Sequence, residues 1–531
     1  MIALMAHLFR AAPFQAALAV LLGLASGGAA AAMAVLISRA LQADLRSPTL
    51  ALWFFGAAAA QMVLRILSET RLIALTQKVV LDLRLSLGQR LLATPQLRLQ
   101  QIGRQPLLTI LTRDIDAFAG AVQLIPLILG NVLLTLGCFA YLAQQDMGIF
   151  LWVLASLLLG ATGFHLAERG PLHRLARLRG HIDDLYIHQR ALIEGSKELQ
   201  LNHRRGVQFL DRILGPAASS VAREYVGAMS SYVWVTNIGN SLFYLVIGLV
   251  LFGPTGLSGA ELLSVVLILL YLVRPVAEIL ICLPPLRQSA IALGRISQLA
   301  DDLPEGTQPA PEPMQPRVIT LQGVTHSYRS DAEDGVFTLG PVDLTVRRGE
   351  ILFLLGGNGS GKTTLAMLLC GLYAPDQGSI LVDGVPLADA ARPAYRQAFS
   401  AVFSDFHLFA HLPGSDDPGM RQRATDFLHR FQMAHKVRVE NGCLSTTDLS
   451  TGQRKRLALV AAYLEDRPFY LFDEWAADQD PAFKAVFYND LLPELRARGK
   501  GVIVISHDDA YFGVADRVVK LADGQVTGGA A

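Results

Sequence analysis

The densest chemistry in the chain lies in Gly356-Gly357-Asn358-Gly359-Ser360-Gly361-Lys362-Thr363, followed by Thr364, which fits the pattern G-x-x-x-x-G-K-[ST]. The glycines let the backbone turn tightly enough for successive N–H groups to face phosphate oxygens. The helix that follows adds partial positive charge at its N-terminus. Lys362 is suited to reach β- and γ-phosphates, and the Thr363 hydroxyl to ligate Mg2+. Apolar runs at 351–355 and 365–369 supply the strand and helix that this loop needs. A glycine-rich turn that binds nothing, or binds another phosphate, stays open on these residues alone.

Three further clusters narrow the chemistry. Phe469-Tyr470-Leu471-Phe472 is an apolar strand that ends in Asp473-Glu474. Asp473 can hold Mg2+ and Glu474 can polarise an attacking water; a plain surface acidic pair is the alternative. Leu449-Ser450-Thr451-Gly452-Gln453 opens a basic helix, Arg454-Lys455-Arg456-Leu457, whose first turn offers a hydroxyl and N–H groups to an anion. An ordinary capped helix would look the same. Ile503-Val504-Ile505-Ser506 leads to His507, a residue that titrates near neutrality and can donate or accept a proton.

Taken as a series, these residues resemble the ATP-binding cassette proteins. The run 449–453 is similar to their L-S-G-G-Q signature, with Thr451 in place of the first glycine. The resemblance implies that Ser450, Gly452 and Gln453 bind the γ-phosphate of ATP held by another subunit. It also implies that His507 contacts that phosphate and orients water, that Tyr328 stacks on adenine, and that Asp480 is the aspartate of the D-loop. ATP and Mg2+ are the implied cofactors, and a second copy of the chain the implied partner. Two departures stand out. Where the family has its Q-loop glutamine, the chain reads Phe403-Ser404-Asp405-Phe406; Ser404 stands at the expected place, but its shorter hydroxyl cannot reach as far, so Asp405 or a water would substitute in the link from Mg2+ to the membrane domain. Leu449 follows Lys362 by 87 positions, without the acidic-glycine run many exporters carry, which implies a trimmed helical subdomain. The runs GGNGSGKTT, DEWAADQDP, SHDD and EGSKELQLN resemble bacterial cyclic-peptide exporters, a group that handles peptide siderophore precursors, lipopeptides and lasso-type microcins.

Composition says what surrounds this site. Of 531 residues, 52% are apolar and 17% charged, and mean hydropathy is +0.37, too apolar for a wholly soluble enzyme. The net charge of +1 gives no sign of nucleic acid as a partner. Cys138, Cys282, Cys370 and Cys443 form no C-x-x-C pair and read as reduced structural thiols. Six stretches are long and apolar enough to cross a lipid bilayer: 14–37, 50–73, 118–143, 147–166, 232–252 and 262–283. Short loops join them pairwise. The long connections between spans 2 and 3 and between spans 4 and 5 are rich in arginine and place both termini in the cytoplasm. These connections keep helical periodicity, with turns expected near 107–116 and 205–214 that could touch the ATPase or be plain solvated connectors.

The expected fold class is therefore a membrane α-helical bundle of six transmembrane helices, exporter-type, followed by an α/β P-loop nucleotide-binding domain. The expected domains are 1–300, a Pro-rich acidic linker 301–317, and 318–531. Within the spans, Asn237, Asn240 and Tyr244 recur with Thr236 and Ser241 on one face. Arg274 and Glu278 stand four apart around Pro275. Charges at that depth are costly, so these five residues are candidates for a substrate path, with helix-to-helix contact as the alternative. Gly23 and Gly27 suggest close packing. The function this implies is ATP-driven export of a peptide by a homodimer in a bacterial inner membrane, with the ATP-binding domain in the cytoplasm. A siderophore importer in the same fold, and an ATP-dependent sensor that moves nothing, are the rivals.

Overall fold

The computed structural model describes residues 12–42, 47–167, 169–253, 257–304, 312–329, 336–414 and 417–530. They divide into two units, one made of 1–88 and 105–303, the other of 89–104 and 304–531.

The first unit is helical throughout its described length. Its apolar elements are α1 (Pro13–Gln42), α2 (Pro48–Ala93), α6 (Ile125–Gln145), α7 (Met147–Ala167), α11 (Gly215–Phe252) and α12 (Gly259–Asp302). Each expected span falls within helix; span 3 starts in a short helix, α5 (Ile115–Gln123), and continues into α6. Among the described residues four helices are long and apolar enough to cross a membrane: Pro13–Leu41, Pro48–Ala93, Arg104–Gln145 and Gly259–Asp302. Shorter apolar helices lie at Met147–Gly160 and Phe243–Phe252. Gly27 explains how α1 and α6 come together, since a Cβ there would stand 2.3 Å from the Gly130 carbonyl oxygen. α12 starts on a capping box between Ser258 and Glu261 and runs on through Pro275, Pro284 and Pro285.

The turns of the long connections are not where periodicity alone puts them. Residues 107–116 and 205–214 are helical and include π-helical turns at Ile110–Asp114 and Leu210–Leu214. The chain instead turns around Pro95 and Gly103, flanking α3 (Gln96–Ile102), and around Gly195 and Asn202, flanking α9 (Ser196–Leu201). Proline and positive-φ glycine end a helix more firmly than a gap in periodicity does. α3 belongs to the second unit, where the Tyr373 hydroxyl donates to Gln100 Oε1 at 2.7 Å.

The second unit is built on two sheets. Strands β1 (Val318–Arg329), β2 (Val336–Arg347), β4 (Gln377–Val382) and β5 (Val385–Pro386) form an antiparallel sheet in the order β2-β1-β4-β5. The other sheet has the order β12-β11-β3-β10-β9-β6 and is parallel except at β12 (Gln525–Ala530). Its strands β3 (Ile351–Gly356), β6 (Phe399–Val402), β9 (Phe469–Asp473), β10 (Gly501–Ile505) and β11 (Arg517–Ala522) are mostly unbroken apolar runs. That is the pattern of strands covered on both faces, and every residue of β9 and β10 is buried. Such a sheet carries ligands at the carboxyl ends of its strands, where β3 and β9 deliver 356–363 and 473–474. Residues 305–311 of the expected linker lie outside the described residues; α12 extends into it as far as Asp302. All four cysteines are free.

Candidate nucleotide site

The phosphate loop runs from β3 into α13 (Lys362–Leu369). Gly359 and Gly361 have φ of +79° and +97°, values open to glycine at little steric cost. Lys362 is buried, and its Nζ donates to the carbonyls of Gly356 at 2.8 Å and Gly357 at 2.9 Å. Its ammonium thus lies over the loop it must serve. Thr364 is buried behind the loop, whereas Asn358 and Gly359 are exposed at its crest. Ser360 Oγ is buried without a hydrogen-bond partner among the described residues. A buried hydroxyl left so is costly, and a phosphate oxygen would complete it.

At the end of β9, three oxygens converge. Thr363 Oγ1 donates to Asp473 Oδ2 at 3.1 Å, and Ser404 Oγ to the same oxygen at 3.4 Å. Burial pushes the Asp473 carboxyl above the usual range, while the hydroxyl of Thr363 pulls the other way. Two hydroxyls and a carboxylate are hard oxygen donors of the kind Mg2+ prefers, so the residues present fit that ion. Ser404, at the Q-loop position, reaches Asp473 itself; Asp405 points elsewhere, with its Oδ2 4.0 Å from Arg104.

Glu474 sits in the left-handed region at φ +50°, its N–H bonded to Ile505 O at 3.0 Å. Such a conformation costs a non-glycine residue energy and persists only when its surroundings hold it. Its Oε1 lies 3.4 Å from His507 Nε2, so the structure brings these two candidate residues together. The residue that sequence reasoning passed over is Lys455. In a basic helix it looks solvent-facing, yet it is 3% exposed. Its Nζ donates to Glu474 O at 2.8 Å and pairs with Asp478 at 2.7 Å, while its own carbonyl accepts from Trp475 Nε1 at 2.8 Å. Lys455 thereby ties the signature helix α16 (Thr451–Glu465) to the backbone of Glu474.

Ser450 caps α16 and Gln453 returns the bond, forming a capping box. Gly452 must be glycine, because a Cβ would stand 2.5 Å from the Asp478 carbonyl oxygen. Thr451 is exposed, which explains why the first glycine of the signature can be replaced. Asp480 caps the short helix α17 (Pro481–Val486), donated to by Phe483 N–H at 2.9 Å, and pairs with Arg456. The Phe483 amide and the Arg456 charge hold the Asp480 carboxyl below the usual carboxylate range. Ser450, Gly452, Gln453 and Asp480 line a cleft of about 630 Å³. No residue of 356–364 lines it. The structure therefore sets these four residues on a cleft apart from the phosphate loop. Tyr328 pairs with Phe337 across β1 and β2; its side chain is outside the described residues.

Within the first unit, Arg274 Nε donates to Glu278 Oε1 at 2.8 Å, as the spacing predicts. Asn237 and Tyr244 do not join them: Asn237 Nδ2 is spent on Val233 O at 2.8 Å, and Tyr244 is exposed. The side chains of Thr236 and Asn240 are outside the described residues.

A phosphate loop and an acidic strand end in one unit, with apolar helices in the other, define a nucleoside triphosphatase built onto a membrane-spanning bundle. The family model described as ABC transporter matches residues 339–477. The ATP-binding protein SyrD of Pseudomonas syringae pv. syringae is 36% identical over 98% of this chain and 95% of its own length. The ATP-dependent lipid A-core flippase of Alkalilimnicola ehrlichii is 31% identical over 47% of this chain and 46% of its own. A bacterial Atm1-family ABC exporter with ATP bound superposes with a TM-score of 0.77 at 20% identity, over 98% of this chain and 95% of that one, a likeness of fold. The chain belongs to the ATP-binding cassette transporters, as an exporter-type half-transporter that couples ATP hydrolysis to transport.

Proposed function

We propose that two copies of the chain form a C2 homodimer in a bacterial inner membrane and export a peptide (cyclic, lasso-type or nonribosomal) from the cytoplasm. Residues 1–300 are the translocating domain and 318–531 the cytoplasmic motor. The observation that carries the dimer is the division of the nucleotide residues into two half-sites. Ser450, Gly452, Gln453 and Asp480 face a cleft that contains no phosphate-loop residue of their own chain. A twofold axis turns each half toward its complement. The peptide reading is supported by the sequence runs that resemble cyclic-peptide exporters.

In this assembly Lys362, Ser360 and the loop amides of 356–363 bind the ATP phosphates, Asn358 lies at the loop's crest, and Tyr328 stacks on the base. Thr363 and Asp473, with Ser404 in place of the missing glutamine, would hold Mg2+, which supplies charge neutralisation on the phosphates. Glu474 polarises the attacking water and His507 orients it, each fixed relative to the other at 3.4 Å. Ser450 of the second copy closes the site, so closure of the cassettes favours one state of the membrane helices and hydrolysis releases it. Inside-out vesicles test the reading: with ATP, they accumulate the peptide substrate. Discharge of preloaded peptide on ATP addition would mean import, and hydrolysis stimulated by peptides that never cross would mean a sensor.

A further inference from the structure

Two arginines and two glutamates face one cavity of about 430 Å³ in the helical unit. Arg65 Nε donates to Glu69 Oε1 at 2.9 Å on α2, and Arg274 Nε to Glu278 Oε1 at 2.8 Å on α12. Asn131 on α6 donates to the second oxygen of Glu278 at 2.8 Å. The pairs share a level as well as a cavity. Arg65 comes fifteen residues after the start of its apolar stretch and Glu278 sixteen after the start of its own, each about 22–24 Å along the helix. Both stretches run inward from the same side, so the two pairs lie at similar depth within the hydrocarbon layer. Four charges so placed are costly unless paired or wet, and mark a binding site or pathway by default.

The balance of donors decides what such a site takes. Glu278 is satisfied by Arg274 and Asn131, and Glu69 by Arg65. Each guanidinium uses only Nε in these bonds, and its Nη donors have no partner among the described residues. A guanidinium fork with its terminal donors free matches a carboxylate. The cavity's size is that of ligand sites in general, and its remaining wall mixes small or apolar residues such as Gly27, Leu127 and Leu134 with the polar Ser26, Gln61, Ser68 and Tyr271.

We propose that this cavity is a subsite for a carboxylate of the transported molecule, gripped by Arg65 and Arg274 while Glu69 and Glu278 hold both guanidiniums in place. The inference rests on the peptide-export reading and narrows its substrate class to peptides with a free acidic group.

The full chain in nanodiscs, without nucleotide, is incubated with an equimolar library of cyclic hexapeptides in which one position is either glutamate or glutamine. Retained members are counted by mass spectrometry. The expected result is enrichment of glutamate members by about tenfold, the scale of one charge-assisted contact. That preference is lost in the Arg65→Gln/Arg274→Gln double variant and partly kept in Arg65→Lys/Arg274→Lys. Size-exclusion elution and thermal midpoint like wild type establish that the variants are folded. Equal retention of both classes by the wild type, or a glutamate preference that survives the double glutamine variant, overturns the carboxylate site and leaves peptide export standing. If no member is retained above empty nanodiscs, the peptide reading fails and the subsite with it.

Discussion

The two units put their apolar side chains on opposite sides. In residues 318–530 the described large hydrophobic side chains left exposed are Val385 and Phe409, and strands β9 and β10 are sealed on both faces. In the helical unit such residues run along nearly every apolar helix, from Phe14 and Trp53 through Trp152 and Leu245 to Ile281. One surface is made for water and the other for hydrocarbon, where leucine outside costs nothing. The polar residues invert accordingly. In the cassette a buried charge such as Lys455 is a structural tie, whereas in the bundle we assign the charges to the path of the transported molecule.

Four substitutions would break or sharpen this contrast. The largest effect belongs to the chemistry: Glu474→Gln lowers ATP turnover about 100- to 10,000-fold while nucleotide binding, measured with a fluorescent ATP analogue, is retained. Unchanged turnover removes Glu474 from its role. Next is the water-facing unit's core. Phe472→Ala, on a strand with no exposed residue, destabilises the cassette by about 3–5 kcal/mol in denaturant titration. Lys455→Met removes one charged hydrogen bond to Glu474 O and the ion pair with Asp478, costing about 1–3 kcal/mol. Turnover falls more than stability alone explains, because the left-handed turn at Glu474 loosens. An equal loss of turnover and of folded fraction would reduce Lys455 to packing. The smallest effect lies on the lipid side: Phe55→Ala, 70% exposed, shifts the melting point of nanodisc-embedded protein by an amount worth less than about 0.5 kcal/mol. A shift as large as that of Phe472→Ala would mean that Phe55 meets protein rather than lipid.

What could be read from residues alone follows the same divide. The phosphate loop, Asp473-Glu474 and Ser450-Gly452-Gln453 were legible because phosphate binding fixes residue types at fixed spacing along a short stretch. The unbroken apolar strands announced a sheet buried on both faces. Lys455 was not legible, since a lysine beside two arginines on a helix carries no mark of burial. Nor was the cavity: Arg65, Asn131 and Glu278 come from three helices and meet only after packing, although the Arg274–Glu278 spacing showed one edge of it. The tips of the long connections were misplaced because helical periodicity continues through the π-helical turns while Pro95 and Gly103 do the turning.

The central claim is that each ATP is held by residues of two copies, and complementation tests it most directly. Lys362→Ala spoils the phosphate loop and leaves the signature; Ser450→Arg does the reverse. Each alone forms homodimers with no intact composite site. Co-expressed and purified as a mixed dimer through two different tags, the pair has one site built from the sound loop of one copy and the sound signature of the other. The account predicts that ATP hydrolysis, absent in either variant, returns in the mixed dimer to a substantial fraction of the wild-type rate. A mixed dimer that stays as inactive as its parents, though folded and assembled, would contradict it.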